Sequence, residues 1–274
     1  MVEPYIGGWL QDEEDWEDLY AMSGEHEVLA LMGSYNEVTL DPRRVMQVEN
    51  QRNQGACQGH SISSVVEWCY YLASNDLEKQ LSRAMGYYES QRLDGIRGDR
   101  GSTISAGVKL ATNTGICCET LWPYPSSYNP TRPSDWSAVL EDAATYRIGR
   151  SIRLTTYEAV RTFLGSGQGG INIGISWGSG MSRAVVESFS AGGGGHAIAL
   201  LSLSDRKDNA GQPYVWMLNS WGSGFGNAGW SEWSPRAITQ MMSSRSTACI
   251  GCSDMPHVKP REISLDEIKK KLRV

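Results

Sequence analysis

The chain has 274 residues, 40% hydrophobic and 20% charged, which is enough to bury one large core or two modest ones and too balanced for a disordered segment. Its 25 Lys and Arg against 31 Asp and Glu give a net charge of -6, and no basic run is interleaved with aromatics, so no nucleic-acid partner is expected. The start, Met1-Val2-Glu3-Pro4-Tyr5, lacks a charged n-region and an apolar h-region, and no run approaches the roughly 20 apolar residues of a spanning helix. No membrane partner and a cytoplasmic location are therefore expected.

Residues 1–45 are acidic and aromatic (Asp12-Glu13-Glu14-Asp15-Trp16-Glu17-Asp18) without sustained periodicity and read as an N-terminal arm that wraps the surface. From Cys57 to Leu72 the apolar positions Ile62, Val65, Val66, Cys69 and Leu72 keep helical spacing, which predicts a buried helix with Cys57 at its N-terminus. Further helices are expected over 81–92 and 102–114, the second with Ile104, Val108 and Ala111 on one face and Gly115 as its stop. Thr155 with Glu158 reads as a capping box for a helix that Gly165 ends.

The pattern then changes period. Ile171, Ile173, Ile175 and Trp177 alternate strictly, Ala197 to Leu203 is continuously apolar, and Tyr214 to Leu218 is β-prone. Helices first and strands later predict an α+β fold with two lobes. The expected organisation is an arm over 1–45, a helical lobe over 46–130, a β-rich lobe over 131–255 and a tail over 256–274. In the tail, Ser264 and Glu267 form a capping box with Ile263 and Ile268 as staple, opening a basic, solvated helix through Lys269-Lys270-Lys271. Gly192 to Gly195 reads as a flexible loop before His196.

The six cysteines, Cys57, Cys69, Cys117, Cys118, Cys249 and Cys252, are too sparse for a secreted disulfide framework. Cys249 and Cys252 form a Cys-x-x-Cys near His257, but a zinc site usually takes four ligands and no second Cys-x-x-Cys exists, so packing is preferred to a metal or redox role. No cofactor and no metal are expected. Cys117-Cys118 reads as one buried and one exposed thiol, since a vicinal disulfide strains the backbone.

Asn219-Ser220-Trp221-Gly222-Ser223-Gly224-Phe225-Gly226, downstream of Cys57 and His196, resembles the papain-like cysteine peptidases. The order of Leu81-Ser82 through Tyr87-Tyr88, Gly101-Ser102-Thr103-Ile104, Gly115-Ile116-Cys117-Cys118-Glu119 and Trp122-Pro123-Tyr124 extends the resemblance, to the bacterial branch, over about residues 45–235. It implies a papain-like two-lobed fold, with a helical N-terminal lobe, an antiparallel β-barrel-like C-terminal lobe and the active site in the cleft between them.

Two registers fit the family pattern Gln-Gly-x-Cys-Gly-x-Cys-Trp, in which the second Cys is catalytic and the first is a disulfide half. One lays Asn53-Gln54-Gly55-Ala56-Cys57 on its opening and puts His60 where the thiol belongs, which implies an inert domain. The other makes Gly55-Ala56-Cys57 the nucleophile turn, with Gln51 six residues before Cys57, Gln54 and Arg100 at the two disulfide positions, and Gln58 where a Trp usually follows. No cysteine lies between Cys69 and Cys117, so the first register requires two independent losses and the second one joint loss; the second is preferred. His60 then reads as a packing residue under the site.

By resemblance, Cys57 attacks the scissile carbonyl of a peptide or protein substrate, His196 protonates the leaving amine, and Asn219 orients His196 under the cover of Trp221. Gln51 and the Cys57 N–H hold the oxyanion. Gly101 and Ser102 line one wall of the cleft, Gly194 and Gly195 the other. The alternatives are an inactive papain-like binding or structural module, and an amidase or transamidase acting on cell-wall or isopeptide bonds. Only a short segment precedes Gln51, so residues 1–45 are expected to pack on the body without acting as a removable inhibitor. The oligomeric state is not written in the sequence.

Overall fold

Residues 8–11, 37–75, 79–244 and 247–256 are described by the computed structural model of the chain. The helical spacing after Cys57 becomes α1 (Cys57–Ser74), which is buried along nearly its whole length and stops where Asn75 turns left-handed at φ 57. Ser82 starts α2 (Arg83–Leu93) by accepting the Met85 N–H, and Thr103 starts α3 (Ile104–Asn113) by accepting the Ala106 N–H. A helix that the sequence reading passed over, α4 (Trp136–Thr145), is capped by Asp135. The cap of α5 (Tyr157–Gly165) is Thr156, one residue later than expected, because its hydroxyl and not that of Thr155 accepts the Ala159 N–H. A second unanticipated helix, α6 (Pro235–Met242), combines Ser234 as cap with Pro235 in the first turn, where a missing N–H costs nothing.

Two short strands, β1 (Trp9–Leu10) and β2 (Ser102–Thr103), pair in parallel. The other strands are β3 (Arg150–Arg153), β4 (Gly169–Trp177), β5 (Val185–Val186), β6 (Gly194–Lys207), β7 (Pro213–Leu218), β8 (Trp230–Trp233) and β9 (Ala248–Ser253). They form one seven-stranded sheet in the order β3-β9-β4-β6-β7-β8-β5, antiparallel except where β5 meets β8. Gly194 and Gly195 open β6, opposite Trp177 and Ser176, so these two glycines are strand and not the expected loop.

Strand parity sorts the central residues. Ile171, Ile173 and Ile175 of β4, with Ile198 and Leu200 of β6, pack against Val160, Phe163 and Leu164 of α5 and Ile238 and Met241 of α6. The opposite face carries Ala197, Ala199 and Leu201, which share a core with Ile62, Val65 and Trp68 of α1 and with Ile104 and Val108 of α3. On β4 this face reads Gly170, Asn172, Gly174, and α1 lies close enough for Ser61 Oγ to reach Asn172 Oδ1 at 2.7 Å. Small side chains in the sheet are what allow a helix to approach that closely.

Val139 and Ala143 of α4, with Tyr146 and Ile148, belong to the core around α1 and α3. Within the arm, Gly8 and Trp9 are buried, Trp9 in that same core, while Leu10 is exposed. The Cys-x-x-Cys lies on β9, where a three-residue step puts Cys249 in one core and Cys252 in the other, so the pair cannot converge on one ion. Cys117 is buried and Cys118 half-buried against Asp142 and Tyr146. His257 and the tail helix around Ser264 fall outside the described residues.

Candidate active site

Cys57 is the first residue of α1, and Ala56 before it offers no side-chain cap, so the positive end of the helix faces the sulfur and not a capping oxygen. The turn that delivers it is fixed from below: the Gly55 N–H donates to Asp99 Oδ1 at 2.7 Å, and Tyr87 Oη donates to the same oxygen at 2.7 Å. Cys57 Sγ in turn accepts the N–H of Ala197 at 3.3 Å, which brings the start of α1 against β6 one residue after His196.

The His196 ring is held by two kinds of contact. Its Nε2 lies 2.8 Å from Asn219 Oδ1, which also accepts the Ser220 N–H at 2.8 Å. Trp221 lies over the ring with centroids 4.6 Å apart and planes at 32°, and Trp177 meets it edge-on at 5.0 Å. The two indoles cover the His196–Asn219 bond, and Nδ1 has no hydrogen-bond partner among the described residues. Trp177 was legible only as the last member of an alternating strand, and nothing in that pattern marked it as a neighbour of His196.

Gln51 is fully buried and threads between the lobes: its N–H donates to the Ser220 carbonyl at 2.7 Å, its Oε1 accepts from Ser220 Oγ at 2.6 Å, and its Nε2 donates to the Gln54 carbonyl at 2.8 Å. One hydrogen of that amide is left. Gln54, the rival from the other register, points elsewhere: its amide joins Tyr88 Oη and the Pro125 carbonyl. His60 is buried edge-on against Tyr124 at 4.7 Å, and neither of its ring nitrogens has a partner among the described residues. Burial and the Arg83 cation hold it neutral, well below the ordinary imidazole pKa.

The cleft is occupied by the chain itself. The Ser102 N–H donates to the Gly8 carbonyl at 3.1 Å, and Trp9 and Leu10 continue beside Ser102 and Thr103. A Cβ on Gly8 would sit 2.9 Å from Cys57 Sγ, and the Gly8 N–H is directed at that sulfur. Gly101 takes φ +88, and a Cβ there would fall 2.5 Å from the Gly8 oxygen. On the opposite wall the Trp9 carbonyl rests against Gly195, whose neighbour Gly194 pairs with Trp177. Ser102 Oγ donates to Gln58 Oε1 at 2.8 Å, so the residue in the usual Trp position supports the wall.

This cover sets the charge state. Cys57 and His196 are 0% and 2% exposed; burial pushes the thiol up to about 12 and the imidazole down to about 4, against the smaller opposing effects of the backbone N–H groups and of Asn219. With Gly8–Leu10 in place the pair is neutral.

Comparison with known proteins gives one family. The papain family cysteine protease profile matches residues 37–249. No curated protein sequence matches the chain. Among solved structures it is similar to xylellain, a cysteine protease from Xylella fastidiosa, at TM-score 0.72 and 21% identity over 91% of this chain and 96% of that one. It is also similar to bromelain from Ananas comosus in complex with the E64 inhibitor, at 0.60 and 18% over 78% and 98%. The ragweed pollen cysteine protease Amb a 11 in its proform aligns at 0.65 and 15% over 92% and 75%.

Proposed function

Because the chain belongs to the papain family of cysteine proteases, and is a peptidase acting on peptide or protein substrates, we propose that Cys57 is its nucleophile, His196 its acid and base, Asn219 the group that orients His196, and Gln51 its oxyanion donor. The observation that carries this reading is the meeting of the α1 N-terminus with β6: the sulfur takes the Ala197 N–H while the adjacent His196 has Nε2 tied to Asn219 and Nδ1 unengaged.

The steps follow from those positions. With the cleft open to water, desolvation no longer favours the neutral pair, and the helix N-terminus favours a thiolate beside an imidazolium. The thiolate sulfur attacks the carbonyl carbon, and the C=O electron pair moves to oxygen. The Cys57 N–H, unpaired within the first helical turn, and the remaining Gln51 Nε2 hydrogen donate to that oxyanion, a contribution of about 3 kcal/mol per donor in comparable sites. His196 gives its proton to the amine as the C–N bond breaks, leaving a thioester. Water then attacks the thioester, its proton goes to His196, and the C–S bond breaks to release the acid and restore the pair. Gly101, Ser102, Gly194 and Gly195 line the path of the substrate backbone, and Trp221 keeps water from the His196–Asn219 bond.

Substrate and Gly8–Leu10 compete for the same space, so this segment must leave before turnover. An irreversible epoxide thiol trap followed by peptide mapping tests the assignment. On a Trp9→Ala chain, in which the cover is loosened, labelling is expected at Cys57 alone, abolished by adding Cys57→Ala and slowed by adding His196→Ala; labelling at Cys69 or Cys249, or at no cysteine, contradicts it.

A further inference from the structure

We propose that His60 is a positioning residue that holds Asn219 through one buried water in the pocket beneath the active site. This deepens the peptidase reading and rests on its assignment of Asn219 to His196. The pocket lies between the first two turns of α1, the start of β6 and the end of β7, and its volume is about 10 Å³, close to what a single water requires. Ala197, Ile198 and Leu218 supply its apolar lining, and the rest is polar, from Glu49, His60, Ser61, Ser64, Asn219 and Ser220.

The polar groups are unequally served. Ser220 Oγ donates to Gln51 Oε1, Ser64 Oγ accepts from the Arg83 guanidinium at 3.3 Å, and Glu49 accepts from the Gln80 amide. Both ring nitrogens of His60 and Nδ2 of Asn219, on side chains each 2% exposed, have no partner among the described residues. Polar atoms buried this deeply are rarely left unpaired. Burial and the Arg83 cation keep the imidazole neutral, so one of its nitrogens is an acceptor. One water joins the two residues: it accepts the Asn219 Nδ2–H, donates to the unprotonated nitrogen of His60, and gives its second hydrogen to Ser61 Oγ, whose own hydrogen is engaged by Asn172 Oδ1 at 2.7 Å. Three bonds are the ordinary complement of an interior water.

The consequence falls on His196. An asparagine amide can present either end to an imidazole, and only Oδ1 selects the tautomer with the proton on Nε2. The Ser220 N–H restrains the amide at Oδ1, and the water restrains it at Nδ2. Held from both ends, Asn219 keeps Oδ1 on Nε2 and leaves Nδ1 of His196 to take the thiol proton.

The test uses full-length chain. A crystal structure that shows ordered solvent is expected to hold one water within hydrogen-bond distance of both Asn219 Nδ2 and a His60 nitrogen; a dry pocket overturns the inference without any substitution. In nitrogen-15 histidine NMR near neutral pH, His196 is expected as the Nε2–H tautomer alone. His60→Phe keeps an aromatic ring against Tyr124 but removes the acceptor, and it is expected to populate the Nδ1–H form measurably. On the Trp9→Ala chain, adding His60→Phe should slow epoxide labelling of Cys57 by about fivefold, the weight of one hydrogen bond. Adding His60→Gln instead restores an acceptor and should recover the rate. Equal slowing by Phe and Gln, or a tautomer and rate that His60→Phe leaves unchanged, overturns the inference; if the Phe variant does not fold, the solvent density decides. Labelling of Cys57 in the Trp9→Ala chain addresses the peptidase reading separately: the ordered water with Cys57 unlabelled fails that reading alone, while Cys57 labelled above a dry pocket fails only the inference.

Discussion

Strands β4 and β6 present two unlike faces. Toward α5 and α6 they offer isoleucines and a leucine, which close the sheet against the helices and fill the space between. Toward α1 they offer Gly170, Asn172, Gly174, Gly195, Ala197 and Ala199, and here a helix comes close, a thiol meets a strand amide, and room is left for Trp9. Core and cleft are thus made by the same strands, and residue parity decides which is which. The difference shows how one sheet can be rigid behind a reactive group and vacant in front of it.

The largest expected effect falls where the two faces meet. Cys57→Ala replaces one small buried side chain by another, so the fold should persist while kcat/KM falls by on the order of 10⁴ or more. A loss below tenfold, measured with any peptide the wild type cleaves, would move the chemistry away from this junction.

Neighbours of opposite parity separate the faces more sharply. Ile173 is fully buried on the closed face, and Ile173→Ala should lower unfolding free energy by about 2–5 kcal/mol in urea titrations, without altering the rate of thiol labelling at Cys57. Gly174→Val, one residue on, sets a side chain against Trp9 and should raise that rate by loosening the cover over Cys57. If Ile173→Ala raised the labelling rate as much, the two faces would not be independent.

Acid probes the buried pair between the faces. His196 is held neutral down to about 4 from an ordinary 6.5, so its folded pKa is depressed and the unfolded chain binds the proton first. Stability from this group is fully present above 6.5 and is lost as pH falls toward 4, up to about 3 kcal/mol from a shift of this size. The difference in urea stability between wild type and His196→Gln should shrink across that window. A difference independent of pH would mean that the ring is hydrated and the cover over Cys57 is open.

How much of this was legible depends on whether the signal was local. Cys57, His196, Asn219 and Gln51 could be nominated because their spacing and the Trp221-Gly222 run are written in short motifs, and α1 was legible because its apolar period is sustained. Trp9 was not, since its partners Gly174 and Gly195 are far away in sequence and a glycine advertises no pocket until strand register places it. The Cys249–Cys252 spacing was read as packing, and the period of two in β9 sends the two thiols into different cores. The helices α4 and α6 had usable start signals in Asp135 and in Ser234-Pro235, but α4 buries only Val139 and Ala143 of its ten residues, too few for a clear stripe.

The smallest expected effects compare caps on the two sides of the sheet. Thr156, on the closed side, is an exposed cap whose hydroxyl accepts one bond, from the Ala159 N–H at 3.1 Å, and Thr156→Ala should cost about 1 kcal/mol. Ser82, in the helical lobe, is fully buried and holds two: it accepts the Met85 N–H at 2.9 Å and donates to the Trp122 carbonyl at 2.6 Å. Ser82→Ala therefore loses the cap and strands a carbonyl, and should cost about 2 kcal/mol or more. Its effect should also reach the site. Through Trp122 the serine steadies the loop that carries Tyr124, whose hydroxyl donates to the Gln51 carbonyl at 3.0 Å. Ser82→Ala should slow thiol labelling at Cys57 modestly, whereas Thr156→Ala should leave it unchanged, and equal labelling rates in the two variants would show that Gln51 is positioned from the β-sheet side alone.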